Sequence, residues 1–342
     1  MSSAPVTLDD IAKKLGITVS TASRALRDLP GIHPTTRAKI VEEAKKLGYV
    51  APRKRKQDAA PPRNVLTLTL GGEVPSLFLS GMSQASLQFN FSLVSHHFSQ
   101  AEGHRILDPK FQPHLLRMGL VSGIVLIYKW PDEVVEMLSR KLPVVSLIVQ
   151  YPNLPVDLIG IDHVDGMFSL IRHLHKAGHQ RIGFFGLNSE SSWSHSRFGA
   201  YVEVMATLGL PLDLGNVIKI EDTGAMAIFP YQNDRVYDQV MEKIGQGVRA
   251  WVCADDVIGH SLCAALVQRG VKIPEDVSIT GFHRYRFPSS NLPELTSVTI
   301  KEELLGIGAL RRLAYRLNHP DDQTRSILLP PQFYQGQTTS KA

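Results

Sequence analysis

Within seven residues this chain places Thr18, Val19, Ser20, Thr21, Ser23 and Arg24, which are hydroxyl groups, one small apolar tip and one forked cation. Hydroxyls bond phosphate oxygens or base edges, Arg spans guanine O6 and N7 together, and Val lies against a thymine methyl. That set suits a DNA groove. A second set is scattered over the last half of the chain: Trp193, Arg197, Asp255, Asp256 and His283. An aromatic face, a forked donor and carboxylates suit a small polyhydroxylated or planar polar ligand. His283 adds a group whose ordinary titration falls in the physiological range, so recognition there is expected to depend on pH.

The first set needs a short helix presented by a compact scaffold. Thr7 with Asp10 three residues on is a capping signal, and Leu8, Ile11, Ala12 and Leu15 follow at helical spacing until Gly16. Thr18 caps a second helix in which Ala22, Ala25 and Leu26 face the first and leave the hydroxyl residues and Arg24 outside. A third helix opens at Pro34, aligns Ile40, Val41, Ala44 and Leu47, and stops at Gly48. Three helices around one small core are therefore expected.

The second set needs strand ends. Apolar runs of strand length fall at 65–70, 91–94, 123–128, 144–149 and 158–161, and again at 181–186, 217–220, 250–253 and 277–282, separated by amphipathic helical stretches. This alternation predicts an α/β fold with parallel sheets in two similar lobes. Ligands in such sheets bind at the carboxyl ends of the strands, which is where Trp193, Arg197, Asp255, Asp256 and His283 fall.

Charge separates the two parts. Residues 1–63 hold thirteen Lys and Arg against six Asp and Glu, a net of +7, while the remaining 279 hold 24 against 26, a net of −2. A basic head on a near-neutral body predicts that the head meets a polyanion. The chain has 342 residues, 43% hydrophobic and 20% charged, with no apolar run near the roughly 18 residues that span a bilayer. No secretory leader pattern opens it, and Cys253 and Cys263 cannot build a disulfide framework, so a cytoplasmic location is expected. Enzyme readings lack a scaffold. No nucleophile elbow, phosphate loop or dinucleotide fingerprint follows a strand, and His173, His175 and His179 straddle a helix end rather than share one face. No catalytic residue, metal or cofactor is assigned.

The segment 6–26, with Thr36-Arg37 and Leu47-Gly48-Tyr49, resembles the DNA-binding head of LacI/GalR-type bacterial repressors. The resemblance continues through Lys176-Ala177-Gly178-His179-Gln180-Arg181-Ile182, Ala254-Asp255-Asp256, the run 273–282 and the run 292–298, and so covers nearly the whole chain. It implies a helix-turn-helix head over 1–51, a linker over 52–63 and a periplasmic-binding-protein-like body over 64–340. The body would divide into one lobe of about 64–162 plus 291–325 and another of about 163–290 plus 326–340. It also implies a homodimer on a near-palindromic duplex site, with operator affinity controlled by a sugar-like or other small polar effector between the lobes, and no membrane partner. Thr7, Arg37 and Tyr49 then join the hydroxyl residues and Arg24 as DNA contacts.

Four departures from the family pattern carry weight. The linker has neither the Asn nor the wedge Leu of the usual hinge helix; five basic residues and three prolines predict a solvated tether, with Arg53 and Lys54 along phosphates. Asp255 stands for the usual Asn, and His283 for an Asp that commonly holds sugar hydroxyls. The first strand lacks the common Asn-Pro-Phe-Phe but keeps Phe78 as a stacking candidate. The competing reading is a cytoplasmic small-molecule sensor without a DNA role.

Overall fold

The computed structural model describes residues 6–26, 32–49, 61–72, 76–189, 191–220, 234–284 and 292–342. It separates into two compact units, 1–61 and 62–342. The linker residues Arg53 and Lys54 lie outside the described residues.

The head forms the three expected helices, α1 (Leu8–Leu15), α2 (Val19–Leu26) and α3 (Pro34–Lys46). Thr7 and Asp10 form a complete capping box, in which the Thr7 N–H donates to Asp10 Oδ2 at 2.8 Å and the Asp10 N–H returns to Thr7 Oγ1 at 3.4 Å. Gly16 ends α1 at φ 64°, a left-handed turn that a side chain would strain. Ile11, Ala12, Ala22, Ala25, Ile40 and Ala44 make the core, ringed by Leu8, Leu15, Ile17, Leu26, Ile32, Leu47 and Tyr49. Four of those six core residues are Ala, so the helices approach closely around Ile11 and Ile40.

The body is built on two parallel sheets. The first joins β1 (Arg63–Leu70), β2 (Phe91–Phe98), β3 (Gly123–Ile127), β4 (Val144–Leu147) and β5 (Val156–Ile161), with α4 (Ser76–Phe89), α5 (His114–Arg117) and α6 (Asp132–Ser139) among the connections. The chain then leaves through α7 (His163–Lys176) for the second sheet. This holds β6 (Ile182–Leu187), β7 (Val217–Lys219), β8 (Ala250–Cys253) and β9 (Ser278–Thr280), interleaved with α8 (Ser192–Thr207), α9 (Asp234–Gly245) and α10 (Asp256–Gln268). The segment β10 (Ser297–Thr299) lies beside β9, and the chain returns to the first lobe through α11 (Glu302–Asn318) and β11 (Ser326–Leu329), ending past β12 (Gln332–Tyr334). Strand order is β11-β5-β4-β3-β1-β2 in the first sheet and β7-β6-β8-β9 in the second, with β10 and β12 paired antiparallel. Both sheets are covered on two faces, which is why their strands are apolar runs rather than alternating ones.

The lobe boundaries differ from the sequence expectation at two places. Residues 326–329, expected in the second lobe, form the edge of the first sheet, where the Asp162 N–H donates to Leu329 O at 2.9 Å. Residues 292–299, expected in the first lobe, pack with the second: Leu295 lies in the second-lobe core and the Gly281 N–H donates to Thr296 O at 2.9 Å. Both assignments depend on pairing between segments more than 150 and about 15 residues apart, respectively, and a four-residue apolar run carries no mark of the sheet it will join. Among the described residues the chain passes between the lobes at 161–163, 299–302 and 329–332.

The helices α4 and α11 meet backbone to backbone. A Cβ on Gly81 would sit 2.0 Å from Glu303 O, and one on Gly306 would sit 2.2 Å from Phe78 O. This contact fixes the N-terminus of α11 to the first lobe. Phe78 itself is 5% exposed, within a core that includes Val65, Met82, Leu305 and Leu310. The stacking role expected for Phe78 is therefore corrected: a bulky ring one turn into α4 fills the helix-to-sheet space instead of lining a cleft.

Candidate functional site

In the head, α2 exposes part of the set expected from its sequence. Val19, Ser20 and Arg24 are exposed, with Val19 at 43%, and Thr21 and Ser23 are half-buried. Two of the hydroxyl residues also serve the helix start. Thr18 Oγ1 accepts from the Thr21 N–H at 3.1 Å, and the two hydroxyls lie 2.8 Å apart. Thr7 is exposed but holds the first cap, Arg37 is half-buried, and Tyr49 lies against the head core with its N–H donating to Ala44 O at 2.9 Å. The exposed set is thus Val19, Ser20 and Arg24 on one helix, with Thr18 and Thr7 at the two helix starts.

In the body, the strand ends of the second lobe converge. Ser194 ties the start of α8 to the strand before it: it accepts from the Asn188 N–H at 2.9 Å and donates to Gly186 O at 3.0 Å. From that anchored start, Trp193 and Arg197 fall one turn apart on a common face. Arg197 is 5% exposed, and its Nη1 donates to Ala254 O, the carbonyl ending β8, at 2.6 Å. Its guanidinium lies 4.2 Å from the centre of the Phe282 ring and 4.9 Å from that of Trp193. On the other side Phe282 meets the ring of His163, centroid to centroid at 5.7 Å. His163, Phe282, Arg197 and Trp193 thus make a continuous stack drawn from α7, the end of β9 and α8.

Two carboxylates border the stack. Asp255 caps α10, accepting from the Ile258 N–H at 2.8 Å, and Asp256 is 1% exposed with its Oδ1 accepting from the Ser297 hydroxyl at 2.7 Å. Gly281 permits this, because a Cβ there would lie 1.9 Å from Asp256 Oδ1. His283 adopts φ 109°, a region that residues with side chains rarely occupy, held by its N–H to Val298 O at 2.9 Å. Its ring Nε2 lies 2.6 Å from Glu302 Oε1.

Charge in this cluster is balanced by burial and contact. Burial pushes the Arg197 guanidinium down to about 10, opposed by Asp255 and Asp256, so it remains a cation at neutral pH. Burial raises the Asp255 carboxyl, opposed by the Ile258 N–H, Arg197 and His283. His163 is pushed down to about 3, chiefly by burial and secondly by the Arg197 charge, and is a neutral ring at pH 7. Two buried polar atoms in the stack have no hydrogen-bond partner among the described residues: Arg197 Nε and His163 Nδ1. Such orphans are rare in native interiors.

Of the residues expected from the sequence, the structure brings together Trp193, Arg197, Asp255, Asp256 and His283, and sets Phe78 apart. His163 and Glu302 were missed. His163 follows the last residues of β5, so applying the strand-end rule to the first lobe would have found it; Glu302 has no such signal. A separate cavity of about 180 Å³ lies in the first lobe, lined by residues including Gln150, Asn153, Asp157, Thr324 and Arg325, and involves none of the stack. His173 and His179 do not converge on a metal: His173 Nε2 lies 2.9 Å from Thr339 Oγ1 and His179 Nε2 lies 3.1 Å from Ser278 Oγ. Among the described residues no group of His, Cys, Asp and Glu is arranged to hold a metal ion, and no helix is long and apolar enough to cross a membrane.

Comparison with known proteins places these features. Residues 7–51 match the model of bacterial regulatory proteins of the lacI family, and residues 171–339 match a periplasmic binding protein-like domain. The HTH-type transcriptional regulator DegA of Bacillus subtilis is 24% identical over 353 residues, covering 98% of each chain. Among solved structures, the lac repressor dimer bound to operator and the anti-inducer ONPF aligns with TM-score 0.63 and 21% identity over 98% of this chain and 100% of that one. The complex of the transcriptional regulator CelR with cellobiose aligns with TM-score 0.65 and 21% identity over 97% of this chain and 99% of that one. The curated relatives reported are transcriptional regulators rather than enzymes.

Proposed function

This chain belongs to the lacI family of bacterial regulatory proteins, and from that premise we propose that it is a repressor whose grip on a duplex operator is set by a small polar effector in the body. The observation that carries the reading is the head. Val19, Ser20 and Arg24 stand exposed on a helix whose start is fixed by Thr18 and whose back is buried on Ile11 and Ile40. One such helix covers a half-site, so a homodimer on a near-palindromic site is the arrangement that uses it. The unit works in the cytoplasm, where the DNA is.

The effector site is the stack of His163, Phe282, Arg197 and Trp193 with its bordering carboxylates. Aromatic faces receive the flat or apolar side of the ligand, while Arg197 Nε and His163 Nδ1 meet its polar atoms. Control of DNA binding then requires that the ligand prefer one arrangement of the two lobes over the other, since equal affinity for both would change nothing. The neighbour solved in complex with cellobiose supports sugar-like molecules as the first class to try.

Selection from a random duplex library with the full chain tests the DNA role. Enrichment of a near-palindrome, lost in Arg24→Ala, is the expected result; no enrichment at low salt would leave the sensor reading. A thermal-shift screen of sugars and nucleosides, repeated on Arg197→Ala, tests the effector site, because a ligand at 100 times its Kd stabilises the fold by about 2.7 kcal/mol.

A further inference from the structure

The ring of His283 is already engaged. Its Nε2 lies 2.6 Å from Glu302 Oε1, with side chains 39% and 18% exposed. An ionised carboxylate only accepts, so Nε2 carries the proton and donates. The two residues come from different lobes. His283 follows β9 and is bound through its backbone beside β10, whereas Glu302 opens α11, which the close approach at Gly81 and Gly306 fastens to α4 in the first lobe. The pair therefore straddles the passage at 299–302. Around it stand Asp255, whose carboxyl is raised by burial and only partly offset by the Ile258 N–H, Arg197 and His283, and, adjacent in the chain, Arg284, Lys301 and Glu303. His283 is the position at which the family pattern has an Asp, and an Asp could not pair with Glu302.

We propose that His283 and Glu302 form a pin between the two lobes, holding the body in one arrangement, and that an effector at the adjoining Arg197 cluster acts by competing for His283. The pin rests on the reading of that cluster as the effector site, but it exists without ligand. Because the pair is partly exposed, it biases the lobes rather than locks them: a hydrogen-bonded pair of this kind changes a population ratio by about two- to five-fold. A ligand that takes His283 from Glu302 favours the unpinned arrangement, and one that leaves the pair intact favours the pinned one.

The test needs no effector. Nitroxide labels at Lys141→Cys and Lys219→Cys, exposed positions on the two lobes of the full chain, report the interlobe distance by pulsed EPR; Cys253 and Cys263 are buried and stay unlabelled. Labelled chain diluted with unlabelled chain keeps one labelled pair per assembly. Glu302→Ala and His283→Ala should each raise the minor distance population about two- to five-fold, the double variant should add nothing further, and His283→Lys, which keeps a donor opposite Glu302, should restore the parent distribution. If His283→Ala fails to fold, Glu302→Ala, in the first turn of α11, decides alone. An unchanged distribution in Glu302→Ala, or additive effects in the double variant, overturns the pin and leaves the effector reading to be judged by its own ligand screen.

Discussion

The hydroxyl of Ser297 donates to Asp256 Oδ1 at 2.7 Å, and both residues are buried, at 0% and 1% exposure. Ser297 also accepts from the Arg284 N–H at 3.2 Å, so one hydroxyl ties the start of α10 to the backbone beside His283. Ser297→Ala leaves a buried carboxylate short of a donor. We expect a loss of about 1–3 kcal/mol in denaturant unfolding with an unchanged slope, and a threonine at 297 should recover most of it.

On the operator selected by the head, Arg24→Ala should weaken binding by roughly 1–3 kcal/mol and flatten discrimination at one base pair. Titration of the selected site and its single-base variants measures both. An equal loss on every sequence would make Arg24 a phosphate contact. Lys54→Ala should show that uniform pattern and lower the salt slope by about one unit.

The neutral His163 makes stability depend on acid. Its pKa falls from 6.5 to about 3 in the folded body, so between those values the unfolded chain binds a proton that the folded one refuses. Stability is then complete above about pH 6.5 and declines as pH drops. At pH 5 the loss from this group alone is about 2 kcal/mol. Burial also depresses His173, His179 and His260 and acts in the same direction. Urea unfolding of His163→Gln and the parent at pH 5 and 7.5 should show a smaller pH difference in the variant.

A buried charge cluster closes the far edge of the first lobe. Arg312 donates to Asp157 at 2.7 Å and to Asp322 at 2.8 Å, with Arg312 and Asp157 side chains 4% and 1% exposed. Removing one member strands the other. Arg312→Met should cost roughly 3–5 kcal/mol in unfolding free energy. A loss under 1 kcal/mol would mean that Arg316, 3.4 Å from Asp157, takes over the pairing.

The head was legible almost residue by residue, because its signals are local: Thr7 with Asp10, Gly16, Thr18, Pro34 and Gly48 each mark an end that the neighbouring few residues decide. The parallel α/β body and the convergence of Arg197, Asp255, Asp256 and His283 followed from apolar runs and from where strands stop. What was hidden depends on distance along the chain. Glu302 reaches His283 from 19 residues away, β11 joins β5 from 168 residues away, and His163 and Arg197 flank the ring of Phe282. Phe78 shows the opposite failure: an aromatic near a strand end reads the same whether it faces a ligand or a core.

The three passages between lobes also dictate the order in which the molecule can be completed as it leaves the ribosome. Among the described residues, 6–26 and 32–49 build the small core of the head from their own side chains, so the head is free to fold once it emerges. Neither lobe of the body has that freedom. The first sheet waits for β11 at 326–329 to cover its edge, and β9 waits for Thr338, which accepts from the Ile279 N–H at 2.8 Å and donates to Ile279 O at 2.6 Å. Nascent chains stalled short of about residue 340 should therefore carry a finished head on an open, protease-sensitive and aggregation-prone body. The chain acquires the surface proposed to read DNA early in synthesis and the part proposed to govern it only once residues 326–338 have followed.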